Sequence, residues 1–493
     1  MAGDAPPAML ESMRDPDTGW HLEATYADLP AEFYDRQLPV PVRDPQMVWV
    51  NEPWANDLGL LVPPLTCSTG AAWFTNGPLP PGAVPLAQAY AGHQFGGFNV
   101  LGDGRALLLG EQIAPDGRRW DIHLKGSGPT RYARRGDGRA ALGPMLREVL
   151  ISEAMHALGI PTTRSLAVVA TGEPVWRQEG PLPGAVLVRT AASHLRVGTL
   201  QLAGALDSPN LLEALVTYAV ARHVPPDQRT DRPALDLLDH LIEVQTSLVA
   251  AWMAVGFVHG VMNTDNTTLS GETIDYGPCA FVDGYDHGTV FSSIDRQGRY
   301  AYANQPRIIH WNIARAAEAL LPLLATDQEQ ALAVARDRLD RVPIRYAAHH
   351  LATFRRRLGL TTEAEDDADL VAAWTAELHA HTTDLPLAWL DLLRLARGQA
   401  PQVLTGPAWE AWLLRWRARR PDPDLLAAAT PRISPRNHRV EEALTAAVTG
   451  DWEPWNRLLA ALQRPYEDLA EHADLNHPPA PEVAACHRTF CGT

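Results

Sequence analysis

Between about residue 86 and residue 200 the chain alternates short apolar runs with glycine-containing turns, a pattern that predicts β-strands, clearest at 106–111, 120–125 and 185–189. One helix interrupts them. It opens near Gly143-Pro144, where proline suits a first helical turn, and closes at Gly159-Ile160-Pro161. After about residue 205 the apolar spacing changes to three and four, predicting helices over 211–223, 235–255 and 309–325. Strand-like pieces return only at 273–274 and 280–282. Residues 1–85 are rich in Pro and Trp with little period and read as an extension covering the folded core. Acidic and proline-rich breaks fall at 361–369, 420–423 and 431–435, followed by a further helix at 440–448 and a tether at 476–481 leading to a short tail. The chain is thus expected to be α+β: an extension (1–85), a sheet-rich lobe (86–204), a helical lobe (205–430), and a C-terminal helical extension with a cysteine-containing tail (431–493).

Composition narrows the classes of function. With 493 residues and 46% hydrophobic content the chain can bury a full core. A net charge of −16 argues against a nucleic-acid partner, because phosphate-backbone binding needs a basic surface. The first 15 residues lack the basic and apolar regions of a leader, and no run reaches the roughly 20 apolar residues that span a bilayer, so a soluble cytoplasmic protein with no membrane partner is expected. Four cysteines, Cys67, Cys279, Cys486 and Cys491, are too few and too scattered for a disulfide scaffold.

The strongest chemical signal lies in the helical half. His259-Gly260-Val261-Met262-Asn263-Thr264-Asp265-Asn266, with Asp275-Tyr276-Gly277 nine residues beyond Asn266, has the spacing of the kinase signature H-R-D-x-x-x-x-N and its metal-binding triplet. The catalytic aspartate of that signature is replaced by Val261, which cannot accept a proton. Asn266 and Asp275 retain the oxygens that a nucleotide-bound magnesium requires, and Asp265 adds a carboxylate beside them. In the sheet-rich half, Lys125 ends an apolar strand before Gly126-Ser127-Gly128, as expected of an ammonium drawn into a cleft. Its partner acid on the following helix is Glu148 or Glu153, which point in different directions. Gly92–Gly97 and Gly102-Asp103-Gly104-Arg105 are either plain hairpin turns or close approaches of backbone to phosphate. Arg131, Arg134, Arg135 and Arg139, with Arg189 and Arg196, form an arginine surplus that a triphosphate would neutralise. A sheet-rich lobe preceding a helical lobe that carries this loop predicts a protein-kinase-like two-lobed fold.

Tyr90–Gly96, Leu101–Ala106, Arg135–Ala140, Ser152–Met155, Gly159–Arg164 and His259–Pro278 together closely resemble the selenoprotein O family of kinase-like protein adenylyltransferases. The resemblance implies that ATP lies inverted relative to ordinary kinases, its α-phosphate presented to a hydroxyl of Ser, Thr or Tyr on a protein, the chain itself included. It implies nucleotide contacts from Gly102, Gly104, Arg105, Asp137 and Gly138, and a phosphate-binding Lys125 paired with Glu148. Arg189 and Arg196 would neutralise the inward phosphates, Asn266 and Asp275 would hold Mg2+ or Mn2+, and Asp265 would be the general base. It also implies a reversible disulfide between Cys279 and Cys491. Two other functions compete: a kinase transferring the γ-phosphoryl group with Asp265 as substitute acid, and a catalytically silent ATP-binding pseudokinase.

Overall fold

The computed structural model describes residues 14–75, 77–178 and 180–490. A ten-stranded sheet forms the first half. Its strands are β1 (Leu22–Glu23), β2 (Tyr34–Arg36), β3 (Gln46–Val50), β4 (Leu86–Gln94), β5 (Gly97–Gly102), β6 (Ala106–Ile113), β7 (Arg119–Lys125), β8 (Ala140–Ala141), β9 (Arg164–Arg177) and β10 (Gly180–Ala191). The main path runs β2-β4-β6-β7-β10-β9-β3, with β1 on β6, β5 on β4 and β8 on β10, and every pairing is antiparallel. The sheet buries both faces, which is why its central strands read as unbroken apolar runs. On β10, Ala185 and Leu187 join the core beneath the Leu142–Ala157 helix, whereas Val186 and Val188 join a second core with Trp20, Trp54, Leu58 and Phe74.

The N-terminal segment does more than cover this sheet. It supplies both ends of the strand path, β2 against β4 and β3 against β9. Residues 37–45 run between them as a strap. Its amides donate to the carbonyls of Pro85 (from Gln37, 3.3 Å), Ser127 (from Val40, 2.9 Å) and Thr171 (from Asp44, 3.1 Å). Strands this short carry too few residues to display a period.

The second half is helical, built on Pro209–His223, Pro233–Val255 and Gln305–Leu324, close to the expected positions. A two-stranded ribbon of β11 (Phe257–Val258) and β12 (Ala280–Phe281) brackets the loop that carries the chemistry. The expected strand at 273–274 is only an isolated bridge between Thr162 and Thr273. Further helices at Asp367–Ala380, Leu385–Ala396 and Pro407–Ala418 meet through the buried rings of Trp374, Trp389, Trp409 and Trp412. No helix of the described residues is long and apolar enough to cross a membrane.

Arg436 ties the C-terminal helices to the rest. Its buried guanidinium donates to Asp283 Oδ1 (2.6 Å), to both oxygens of Asp384 (2.8 and 2.9 Å) and to the carbonyl of Asn476 (3.0 Å). Removing the cation would leave two carboxylates facing each other with little water. Arg436→Ala is therefore expected to lower unfolding stability by about 3–5 kcal/mol, read as a fall in denaturation midpoint; a change below 1 kcal/mol would contradict this assignment.

Candidate active site

A cleft of about 500 Å³ opens between the sheet and the helical half. Its sheet-side wall carries Gly102, Gly104, Arg105, Lys125, Asp137 and Gly138. Glu148, Arg189, Arg196, Asp265, Asn266 and Asp275 complete it, so the residues expected to contact nucleotide or metal or to act as base line one cavity, together with Val261.

Strand register explains the inner wall. On β7 and β10, Arg189 lies opposite His123 and Leu187 opposite Lys125, and residues two apart on a strand share a face. Lys125 Nζ donates to Glu148 Oε2 (2.6 Å) and Asp275 Oδ1 (2.8 Å). Arg189 Nη1 donates to Glu148 Oε1 (3.1 Å) and Asp275 Oδ1 (2.7 Å), and Arg196 Nη1 to Asp275 Oδ2 (3.3 Å). The choice between the two helix acids is settled by direction. Glu153 turns the other way and takes Arg164 in a bidentate pair, both bonds 2.8 Å. Burial alone would raise the pKa of Asp275, but Lys125, Arg189 and Arg196 outweigh it and hold the carboxyl well below its usual range.

The Asp265 loop is fixed from several sides. Arg196 Nη1 donates to the Asp265 carbonyl (2.8 Å), and the arginine lies over the Tyr90 ring at 4.5 Å. From β4, the His93 amide donates to Thr264 Oγ1 (2.7 Å), and from the turn joining β4 to β5 the Phe95 amide donates to Asn263 Oδ1 (3.0 Å). Phe95 and Gly96 both have positive φ, 51° and 91°, as a two-residue hairpin turn of the primed type requires. The first glycine cluster is thus a hairpin whose tip docks on the loop, while the second, with Gly102 and Gly104 against Tyr132, lines the cleft.

The Asp265 carboxylate is poised rather than saturated. Gln94 Nε2 approaches Oδ2 at 3.5 Å, and Oδ1 is buried with no hydrogen-bond partner. A Cβ on Gly92 would lie 2.4 Å from that oxygen, so only glycine leaves it room. Burial raises the pKa of Asp265, with Arg196 opposing the shift. Asn266 Nδ2 donates to the Val261 carbonyl (2.9 Å), which leaves its Oδ1 available as a ligand. No group of three or more His, Cys, Asp or Glu suited to a metal occurs among the described residues. Asn266 and Asp275 are two oxygen donors, and a magnesium that keeps water and phosphate oxygens needs few more from protein.

Several sequence readings need adjustment. Arg131 points outward, 3.8 Å from Asp35, and Arg134 reaches the Val100 carbonyl (3.4 Å), so the arginine run splays instead of converging on the cleft. Arg139 does line it, as does Arg177, which holds Asp137 at 2.8 Å. Gly138 serves close approach, since a Cβ there would lie 2.0 Å from the Pro129 nitrogen. The sequence patterns do not mark Asp103 and His123 as site residues, yet His123 Nε2 and Asp103 Oδ2 lie 3.0 Å apart and Asp103 faces Arg196 at 3.5 Å. The usable signal was His123 standing two residues before Lys125 on the same strand face. Cys491 lies outside the described residues, and Cys67, Cys279 and Cys486 are free thiols.

Known proteins resemble this chain along most of its length. The profile of the family described as protein adenylyltransferase SelO matches residues 18–404. The chain is 50% identical over 486 residues to the protein nucleotidyltransferase YdiU of Bacillus mycoides (strain KBAB4), covering 97% of this chain and 99% of that one. It is also 50% identical over 494 residues to the protein of the same name from Bacillus cytotoxicus, covering 98% and 100%. With Val261 at the kinase acid position and Asp265 four residues on in its cleft, and with this profile match and these relatives along nearly the whole chain, the chain is a member of the protein adenylyltransferase SelO family.

Proposed function

We propose that this enzyme transfers AMP from ATP to Ser, Thr or Tyr hydroxyls of proteins, itself among the candidate acceptors, and releases pyrophosphate in the cytoplasm. The observation that carries the reading is the position of proton-accepting and cationic groups. At the kinase acid position Val261 offers no acceptor atom, while the buried Asp265 carboxylate keeps one oxygen unpartnered. Arg189 and Arg196, 2% and 3% exposed, put guanidinium charge at the inner end of the cleft, where a triphosphate entering terminal phosphate first would end.

In this reading Lys125, Arg189 and Arg196 hold the β- and γ-phosphates, and Gly102, Gly104 and Arg105 contact the nucleotide from the sheet side. Asp137 and Gly138 shape the cleft's outer wall. The acceptor oxygen attacks the α-phosphorus, its proton passes to Asp265, and the bond from the α-phosphorus to the bridging oxygen breaks. Pyrophosphate leaves with that electron pair, stabilised by the three cations. Asn266 and Asp275 would hold a divalent cation, Mg2+ or Mn2+, which when bound supplies further neutralisation of phosphate charge.

We also propose a reversible Cys279–Cys491 disulfide. Thr489, two residues before Cys491, donates from Oγ1 to the carbonyl of Pro278 (2.6 Å), the residue preceding Cys279. Burial pushes the Cys279 thiol up to about 12, so its thiolate is scarce and the disulfide is expected to form slowly. Oxidised glutathione can accept the two electrons.

Purified protein incubated with metal and ATP is expected to gain label from the α-phosphate and none from the γ-phosphate; the reverse would establish phosphoryl transfer instead. Asp265→Asn should lower transfer about 10²–10⁴-fold while retaining ATP binding, whereas Asp275→Ala should weaken metal-dependent ATP binding as well. Because Asp265 acts as a base and burial raises its pKa, kcat/KM should rise with pH through a limb above the ordinary aspartate range. In Arg196→Gln that limb should move higher still, since the opposing cation is gone; a limb that stays put would exclude Asp265 as the titrating group. Non-reducing peptide mass spectrometry after exposure to oxidised glutathione should yield a Cys279–Cys491 cross-linked peptide, and its absence would remove the disulfide.

A further inference from the structure

Beside the nucleotide cleft, and sharing Phe95 and Ile294 with it, lies a second groove of about 640 Å³. It is a basic groove on an acidic chain. The chain carries 58 acidic against 42 basic residues, and surface arginines elsewhere commonly find carboxylates, as Arg338 does with Asp239 and Asp337 and Arg432 with Asp468. The groove presents Arg296, Arg299 and Arg307, and none of the three forms an ion pair among the described residues. Arg299 lies over the Trp311 ring at 4.9 Å, and its Nε is buried without a hydrogen-bond partner. The one acid in the lining, Asp295, is 4% exposed, and both its oxygens accept backbone amides, from Arg299 (2.9 Å) and Tyr300 (2.8 Å). The turn takes up both its oxygens, and three guanidiniums against this one carboxylate leave the groove positive.

The apolar component is equally unusual. Phe95 is 40% exposed and Ile294 49%, and both sit where the groove meets the cleft. The wall is registered to the proposed base through Asn263, two residues before Asp265. Its Oδ1 accepts from the Phe95 amide (3.0 Å) and from the Tyr300 hydroxyl (2.5 Å). A polypeptide bound in this groove therefore runs past the mouth that an acceptor hydroxyl must enter.

We propose that this groove docks the acceptor protein, and that it selects segments with acidic side chains next to the hydroxyl and an apolar side chain to cover Phe95 and Ile294. Charge complementarity identifies the occupant: an acidic protein that leaves three arginines without carboxylates beside its reaction centre is built to receive carboxylates from outside. The inference rests on the transfer reaction proposed above and names its substrate class.

Two dye-labelled synthetic peptides of equal length test it, each with a central serine, one flanked by Glu and Leu and the other with every Glu replaced by Lys. Binding to the full chain without nucleotide, followed by fluorescence anisotropy, does not depend on transfer. The Glu peptide should bind about tenfold or more tighter than the Lys peptide, weaken with added salt, and lose about tenfold in the double variant Arg296→Glu/Arg307→Glu. In the transfer assay the same variant should raise KM for the Glu peptide with kcat and ATP affinity unchanged. Equal binding of the two peptides, or an unaltered variant, would overturn the proposal. So would displacement of the Glu peptide by inorganic pyrophosphate as readily as by unlabelled peptide, because the groove would then be a phosphate site. Selective binding without AMP incorporation would uphold the docking site while removing the transfer chemistry.

Discussion

The pairing of Asp275 with Lys125, Arg189 and Arg196 is the interaction on which the site depends. Three cations drawn into a poorly hydrated cleft would be costly alone, and a carboxylate shared among them makes their burial tolerable. Asp275 holds this place with φ of 61°, a left-handed conformation that aspartate tolerates better than most residues. Glu148 fixes the far side of Lys125 and Arg189, and Asp103 that of Arg196, so each cation is held between acids from different elements. Helix, sheet and loop are thereby located relative to one another by charge. The apolar cores on the two sheet faces then stabilise an arrangement that these contacts orient.

Much of this was legible in the chain. Spacing alone joined Asn266 to Asp275, and the apolar strand ending in Lys125 placed an ammonium in a cleft. The signals that failed share a cause. The number of arginines between 131 and 139 suggests a cationic cluster, but a count of charges says nothing about direction, and that loop turns two of them outward. Position on the helix leaves both Glu148 and Glu153 open, the family resemblance favours Glu148, and Arg164 on β9 shows why, since it claims Glu153. Both decisions are made by residues distant in sequence, which a local pattern cannot contain.

The same limit applied to the fold. Helices of 15 to 23 residues over 209–223 and 233–255 declared themselves by period. β1, β2 and β3, of two, three and five residues, did not, because each exists only where a partner strand receives it. The tryptophan-rich helices beyond residue 366 have buried rings whose partners lie on neighbouring helices. Their sequence shows apolar content without revealing which face turns inward.

The strap over residues 37–45 imposes one more condition. It joins strands at opposite ends of a seven-strand path, a lateral distance of about 29 Å at the usual interstrand spacing. Ten residue steps reach only about 33–36 Å when fully drawn out. Pro39, Pro41 and Pro45 favour just such an extended chain. The strap therefore has little spare length: deletions within it would strain the pairing of an outer strand, whereas insertions would merely bow it outward. Since Arg139, which lines the cleft, grips the Val40 and Pro41 carbonyls at 3.2 and 3.0 Å, the length of this girdle bears on the cleft's rim.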